Sequence, residues 1–325
     1  MIATIVFLLL ARTIQASAAQ QPIAVSDDGT PFLVGVLRRD GLVSPFASFD
    51  GKDWDAPWPP DLSSVEVPIS LDVVPRKWWG KSGPVERMTA WADGVNRGAF
   101  SLKRPTVMRL MCSSHLGLSS DYQSPEAAPP LVEQPYPKDG LAVSGTQPVA
   151  PIPSVQPGSA EWLRAEALLR QQFDKAEDRA IDAFTAWNHP VRREDRRKLP
   201  IQIEALYRAA MDEPGWTAYY VEAIRRYAPE PDDQGCGLVT STSGWMIAGK
   251  ENEGKEKLTL AAHVTYCDRR GVTYMLPLGL INVRGRTYWA YQLSGYGRES
   301  YGIVRPTPRA IRQEVFYSSR SCPLS

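Results

Sequence analysis

One segment of this chain, residues 159–187, has the residue pattern of a long helix, and the sequence on either side is broken by prolines or has the pattern of strands. Ser159 can cap the start of this helix, and Pro190 ends it because a residue before proline disfavours the helical conformation. A helix of about 29 residues would be roughly 43 Å long and would cross a whole sheet. Its apolar residues recur at steps of three and four, opposite charged residues, and we expect this stripe to lie in the core: Trp162, Leu169, Phe173, Ala180, Phe184 and Trp187.

The sequence after the helix predicts an antiparallel sheet. Runs rich in apolar and β-branched residues are joined by short polar turns and lie at 236–247, 257–267, 272–283, 286–293 and 313–318. Residues 216–227 fit either a helix or a strand, and their Thr, Tyr and Val content favours the strand. The predicted fold class is α+β and mainly antiparallel β. It consists of a small N-terminal β-meander domain and a C-terminal antiparallel sheet with one long amphipathic helix.

Hairpin turns dominate the first hundred residues. Asp-Gly, a strong two-residue hairpin signal, occurs at 28–29, 40–41, 50–51 and 93–94. The runs 31–39 and 42–49 are predicted strands, and the apolar runs 65–74 and 105–111 extend the same pattern. Residues 20–122 are therefore predicted to form a tryptophan-rich β domain.

Residues 123–158 are dense in Pro, Ser and Gly. Proline breaks helices and lacks the N–H that a central strand donates, so this segment is predicted to add at best an edge strand. We expect a linker, or a strap laid along the surface, between the β domain and the unit formed by residues 159–325.

The N-terminus, residues 1–19, has the pattern of a cleaved export signal. An apolar run at 2–11 precedes the small-residue pattern of residues 16–18, and it is shorter than the ~20 residues that span a bilayer. No Lys or Arg precedes the run, which leaves a buried apolar strand or a misassigned start as alternatives. We expect a secreted or periplasmic protein with no transmembrane segment after cleavage. The formal net charge of +1 argues against a nucleic-acid partner.

Four cysteines, Cys112, Cys236, Cys267 and Cys322, are expected to pair because an exported protein folds in an oxidising compartment. If the strand that follows Cys236 pairs with the strand that precedes Cys267, these two residues fall side by side. Antiparallel neighbours have Cβ atoms about 4.5–5.5 Å apart, close to what a disulfide needs. The pair Cys112–Cys322 then remains by elimination.

The stretch SFDGKDW, residues 48–54, resembles the Asp-box of sialidase-type propellers. It is one residue short between its Asp and its Gly, and a second copy at 26–32 is short at the same place. We interpret both as ordinary hairpin turns, since Asp and Gly favour such turns and the aromatic residue closes the strand behind. An Asp-box is itself a structural turn and supplies no chemistry.

Five of the ten tryptophans lie between residues 54 and 91: Trp58 is followed by two prolines, and Trp78 and Trp79 are followed by Gly80. They either fill the core of a small domain or form an exposed stacking platform for sugars or partner side chains. On a strand, Trp78 and Trp79 would point to opposite faces, so that one ring would be outside. The candidate ligand-binding residues are Trp54, Trp58, Trp78 and Trp79.

Signatures of catalysis are sparse, with no nucleophile elbow and no zinc-protease motif. Cys112 and His115 have chelating spacing without a second pair, so we expect neither metal nor cofactor. The leading hypothesis is a non-enzymatic binding or structural protein that contacts a glycan or a cell-envelope protein. The alternative is a secreted hydrolase that acts on polysaccharide through paired carboxylates. Its first candidates lie close to the tryptophans and are Asp50, Asp53, Asp55 and Asp93.

Overall fold

The computed structural model describes residues 29–59, 62, 65–111, 113–131, 135–184, 187–227, 237–249 and 256–318. The predicted fold class is confirmed: the protein is mainly antiparallel β with one long helix. The predicted export signal lies outside the described residues.

Six strands of the N-terminal half close into an antiparallel barrel, because β1 pairs with both β2 and β7. The order around the barrel is β1-β7-β4-β5-β6-β2. The strands of this half are β1 (Phe32–Arg38), β2 (Leu42–Phe49), β3 (Trp54–Asp55), β4 (Arg87–Ala92), β5 (Val95–Leu110), β6 (Ser113–Ser120) and β7 (Lys138–Val143), with β3 added beside β2. The predicted strands at 31–39, 42–49 and 105–111 are all present. Residues 65–74 form bends and turns instead of a strand, and they contain Pro68, which lacks a backbone donor.

Strand β7 corrects the prediction for residues 123–158. It lies between β1 and β4 and is hydrogen-bonded to both, so it is not an edge strand, and Leu141 and Val143 are fully buried. No proline occurs between residues 138 and 147, so every backbone donor of β7 is available to the sheet. Gly140 has a φ of 133°, and a Cβ there would lie 2.1 Å from the carbonyl oxygen of Trp91. Only glycine therefore lets β7 lie this close to β4.

The C-terminal half contains two further antiparallel sheets. One has the order β12-β11-β10-β9 and the other the order β16-β15-β14-β13-β8. Their strands are β8 (Val149–Ala150), β9 (Gln202–Ala210), β10 (Thr217–Arg226), β11 (Leu238–Ala248), β12 (Lys257–Tyr266), β13 (Thr273–Val283), β14 (Arg286–Gly295), β15 (Arg298–Pro306) and β16 (Ile311–Ser318). Residues 216–227 are thus a strand, as their composition favoured. Strand β15 was not predicted.

The elements form successive layers. Helix α1 (Ala160–Asp182) packs on one face of the β9–β12 sheet through Leu169 and Phe173. The other face packs on the β13–β16 sheet, where the Trp245 ring lies 5.0 Å from the Trp289 ring. The opposite face of the β13–β16 sheet packs on the outside of the barrel and shares one hydrophobic core with it. A short helix, α2 (Arg193–Arg196), follows α1.

Helix α1 begins as predicted and ends earlier. The Ser159 hydroxyl oxygen accepts a hydrogen bond from the Trp162 N–H at 3.1 Å. The helix ends at Asp182, so Phe184 and Trp187 are 54 % and 38 % exposed, and the prediction that they belong to the core was wrong. Glu177 already contacts Arg225, next to the last residue of β10, so the chain beyond it has passed the end of the sheet.

Cys267 is disulfide-bonded. Its possible partners, Cys112, Cys236 and Cys322, lie outside the described residues, so the pairing remains a prediction. Leu238 of β11 is paired with Tyr266 of β12, so Cys267 follows the last residue of this strand pair.

Candidate functional site

The barrel interior holds three of the four candidate tryptophans. One hydrophobic cluster draws residues from all six strands of the barrel and includes Trp58, Trp78 and Trp79, which are 1 %, 8 % and 0 % exposed. The Trp58 ring lies 5.3 Å from Trp79 and 6.0 Å from Trp78, and its Nε1 donates to the Leu116 carbonyl at 2.8 Å. These rings fill the core, which is the first of the two interpretations that the sequence allows.

The hypothesis of an exposed tryptophan platform was therefore wrong for these rings. Trp78 and Trp79 lie in a 3-10 helix, Arg76–Ser82, and not on a strand, so consecutive side chains can both point inward. Trp54 is half-buried on the outside of the barrel wall and packs against Phe32, Phe49 and Tyr288. It joins the barrel to the β13–β16 sheet through Tyr288.

Asp50 caps a hairpin turn. Its Oδ1 accepts hydrogen bonds from the backbone N–H groups of Lys52 and Asp53, both at 2.8 Å, and its Oδ2 lies 2.7 Å from Lys81 Nζ. The Asp53 N–H, the Lys81 ammonium and the Lys52 N–H together hold the pKa of Asp50 well below its usual range. Asp50 thus stays ionised near neutral pH, whereas a glycosidase acid must hold a proton.

The other candidate carboxylates are exposed. Asp53 and Asp55 share the β2–β3 hairpin with Asp50, and Asp93 lies apart in the β4–β5 turn with a φ of 49°. The structure thus brings three of the four together but does not bury any of them in a cleft.

The larger described cavity is an open groove of about 480 Å³ at one end of the barrel, where the β1–β2 turn approaches the β5–β6 turn. We call it the barrel-end groove. It is lined by Arg38, Leu42, Val107, Met108, Arg109, Met111, Ser114 and Leu131. Its walls are mostly aliphatic and thioether side chains, and the Val107 and Leu131 side chains are more than half exposed.

Two arginines supply the charge of the barrel-end groove. Arg38 is buried and fixed: its Nε and Nη2 donate to Asp40 at 3.1 and 2.6 Å, and its Nη1 donates to the Arg109 carbonyl at 2.9 Å. Its guanidinium also lies 4.1 Å from the centre of the Tyr136 ring. Arg109 is exposed and uses its Nε on the Met111 carbonyl. Because Asp40 neutralises Arg38, the available positive charge comes from Arg109.

A buried ion pair lies next to Arg38. Lys138, the neighbour of Arg38 on β7, approaches Glu299 of β15 to 3.0 Å, and both side chains are inaccessible to solvent. The Tyr301 hydroxyl donates to the same carboxylate. Burial lowers the pKa of Lys138 and raises that of Tyr301. These contacts tie the barrel to the β13–β16 sheet, and none of the three residues lines the groove.

A second cavity, of about 240 Å³, lies at the edge between the two C-terminal sheets. It is lined by Trp245, Ile247, Lys257, Thr259, Ala310 and Ile311. We call it the Trp245 crevice. The edges of Tyr220 and Trp289 fix the Trp245 ring, with ring centres 5.2 and 5.0 Å away, and Lys257 Nζ donates to the Arg309 carbonyl at 3.2 Å.

Neither cavity was predicted from the sequence. The residues of the barrel-end groove come from β1, β2, β5, β6, the turn between β5 and β6, and residue 131, and no local motif marks them. Trp245 lies on the same face of β11 as Ser243 and Ile247, because every second residue of a strand points the same way. In the sequence this spacing is only the ordinary pattern of a half-buried strand. In the described part of the chain, no group of three or more His, Cys, Asp or Glu side chains could hold a metal ion.

Within the described residues, no helix has both the length and the apolar character needed to cross a membrane. Comparisons of the chain with protein-family models, with curated proteins and with solved structures each find no match.

Proposed function

We propose that this protein is an exported binding protein and that the barrel-end groove is its contact site. The groove itself is the observation that carries the proposal: its volume of about 480 Å³ lies in the range of ligand pockets, and its apolar walls carry few polar groups. Arg38 is buried and held by hydrogen bonds to Asp40 and to the Arg109 carbonyl, which makes the floor of the groove rigid and lowers the cost of ordering the site when a ligand binds.

The chemistry of the walls favours a polypeptide over a glycan at this groove. Sugars are commonly held against aromatic ring faces, and none of the described residues that line the groove is aromatic. Leu, Val and Met side chains instead fit the apolar side chains of a peptide, and Met adapts to different shapes. The exposed Arg109 adds a preference for a ligand with an acidic group.

The same residues support binding rather than catalysis. Among the described residues that line the groove, Ser114 is the only hydroxyl, and no histidine or carboxylate lies with it to act as a base. The proposal of export rests on the sequence of residues 1–19.

The test is selection of a displayed library of random dodecapeptides on the purified protein. Selected peptides should bind the double variant Val107→Asp, Leu131→Asp roughly tenfold or more weakly, because each carboxylate would be desolvated against an apolar side chain. Ile69→Asp is the matched control, since Ile69 is an exposed apolar residue that does not line the groove. If peptides bind both variants as tightly as the native protein, or if none is selected, the groove is not the contact site.

A second candidate function, binding of a small sugar, is favoured by the Trp245 crevice, which combines one indole ring with the ammonium of Lys257 and the hydroxyl of Thr259. Titration with glucose and glucuronate, followed by nuclear magnetic resonance, tests it. Shifts confined to the Trp245 indole and lost in Thr259→Val would support the proposal, and their absence at millimolar sugar would contradict it.

A further inference from the structure

We infer that the barrel-end groove binds an extended acidic peptide segment of a partner protein, which adds as a strand to the free edge of β5. This inference rests on the proposed function and specifies the partner.

Strand β5 pairs with β4 along its first part and with β6 along its second part. Residues Val95–Ser101 pair with β4, and Leu102 still donates to the Glu86 carbonyl at 2.8 Å. Residues Leu102–Leu110 pair with β6, and among the described strands none covers the other edge of residues 104–110.

The direction of the backbone groups on this edge follows from two hydrogen bonds. The Arg109 carbonyl accepts from Arg38 of β1 and therefore points away from β6. Leu116 faces Val107 across the β5–β6 pair. Its carbonyl accepts a hydrogen bond from Trp58 Nε1 and therefore points away from β5. In an antiparallel strand the N–H and C=O of one residue point to the same side, and alternate residues point the same way. The Val107 N–H and C=O thus point to the free edge.

The edge opens into the barrel-end groove. Val107, Met108 and Arg109 form one wall, and Leu131 stands across the groove from another part of the chain. Residues 104–110 extend over about 23 Å at the rise of a strand, which is the length of a typical strand. In strand addition the main-chain hydrogen bonds supply affinity, and pockets for alternate side chains supply specificity. The edge of β5 and the apolar walls provide both features.

Charge identifies the occupant. Lys103, Arg104 and Arg109 are exposed on this stretch, and Lys103 is paired with Asp121 at 3.1 Å. The cations left by this pairing favour a segment that carries Asp or Glu. A second copy of β5 would bring the same cations together, and Pro105 would then lack an N–H on both strands of the pair. Like charges that face one another across a strand pair destabilise it, which disfavours pairing of β5 with its own copy.

The experiment uses the peptides selected from the dodecapeptide library on the full protein. Each is synthesised unmodified and with alternate backbone amides N-methylated, which leaves the side chains unchanged and removes the donors that a strand needs. We expect the N-methylated form to bind roughly tenfold or more weakly, as the loss of two hydrogen bonds implies. Hydrogen exchange at the Val107 amide should slow when the unmodified peptide binds. The selected sequences should be rich in Asp and Glu, and Arg109→Glu should weaken them.

The outcomes separate the two proposals. If N-methylated peptides bind equally and Val107 exchange does not change, groove binding stands and strand addition is wrong. If the selected peptides lack acidic residues, the chemistry assigned to the partner is wrong. If the protein dimerises and Val107→Pro disrupts the dimer, a second copy occupies the edge, against our inference. If no peptide is selected, the proposed function fails as well.

Discussion

Glu177 of helix α1 and Arg225 of strand β10 form a buried ion pair, with 2.8 Å between Oε2 and Nη1 and both side chains almost inaccessible to solvent. Glu177 also accepts hydrogen bonds from Arg196 at 3.2 Å and from Tyr227 at 2.6 Å. One carboxylate thus joins the long helix, the short helix α2 and the β9–β12 sheet. The Arg225 guanidinium also lies 4.8 Å from the centre of the Phe173 ring, inside the core beneath α1.

Glu177→Gln should therefore destabilise the protein by about 2 kcal/mol, because it removes the one carboxylate that two buried guanidinium groups share. Arg225 keeps its contact with Asp174 at 2.8 Å, and Arg196 keeps its contact with Asp178 at 3.1 Å. Glu166→Gln is the control: it breaks an exposed pair with Arg170 on the same helix and should cost less than about 1 kcal/mol. The free energies of unfolding in urea give the comparison. Equal losses for the two variants would mean that the buried pair contributes no more than an exposed one.

Glu222 should make the stability depend on pH. It is buried between the two C-terminal sheets, and its Oε1 accepts from the Met275 N–H at 2.6 Å. Burial raises its pKa from 4.5 to about 7, against the opposing effect of that hydrogen bond. The charged groups that act on it are Glu204 and Arg269, and Tyr220 bonds to it.

The folded state binds the proton of the Glu222 carboxyl group more tightly than the unfolded state does. The contribution of Glu222 to the free energy of unfolding is therefore fully present below pH 4.5, and it is lost as the pH rises through about 7. The total loss is about 3 kcal/mol. Glu222→Gln should therefore unfold at higher urea concentration than the native protein at pH 8, and the difference should vanish near pH 4.5. A constant difference across this range would show that Glu222 is not the titrating group.

Local patterns predicted local structure. The bond from Ser159 to the start of α1 and the Asp50 turn were both foreseeable, because cap and turn preferences depend on a few adjacent residues. The period-2 pattern identified most strands. Periodicity does not tell where the sheet beneath a helix ends, which is why Phe184 and Trp187 were wrongly placed in the core.

The candidate site could not be predicted because its contacts are distant in sequence. In the groove, Arg38 donates to the Arg109 carbonyl 71 residues later. Beside the groove, Lys138 pairs with Glu299 across 161 residues. The barrel closes through β7, which lies in a proline-rich segment and was for that reason predicted to be a linker or strap. Trp78 and Trp79 were misjudged because the pattern was read as a strand, whereas both rings leave a 3-10 helix toward the barrel interior.

Oxidative footprinting should rank the tryptophans by exposure. We expect hydroxyl radicals to modify Trp187, which is 38 % exposed, well before Trp58 and Trp79, which fill the barrel. Mass spectrometry of a digest reads the modified fraction of each. In guanidinium the difference should disappear, because all tryptophans are then exposed. Rapid modification of Trp58 or Trp79 in the native protein would restore the hypothesis of a surface platform.

We expect the disulfide partner of Cys267 to be Cys236. The pairing of Leu238 with Tyr266 puts Cys267 at the end of a strand pair, and Cys236 precedes Leu238 by two residues in the sequence. A bond between them closes a loop whose restriction in the unfolded chain is worth roughly 3–4 kcal/mol. A non-reduced digest of the exported protein should contain a Cys236–Cys267 peptide pair that separates on reduction, and its mature N-terminus should be residue 20. A link from Cys267 to Cys112 or Cys322 would overturn the pairing, and an uncleaved N-terminus would overturn export through residues 1–19.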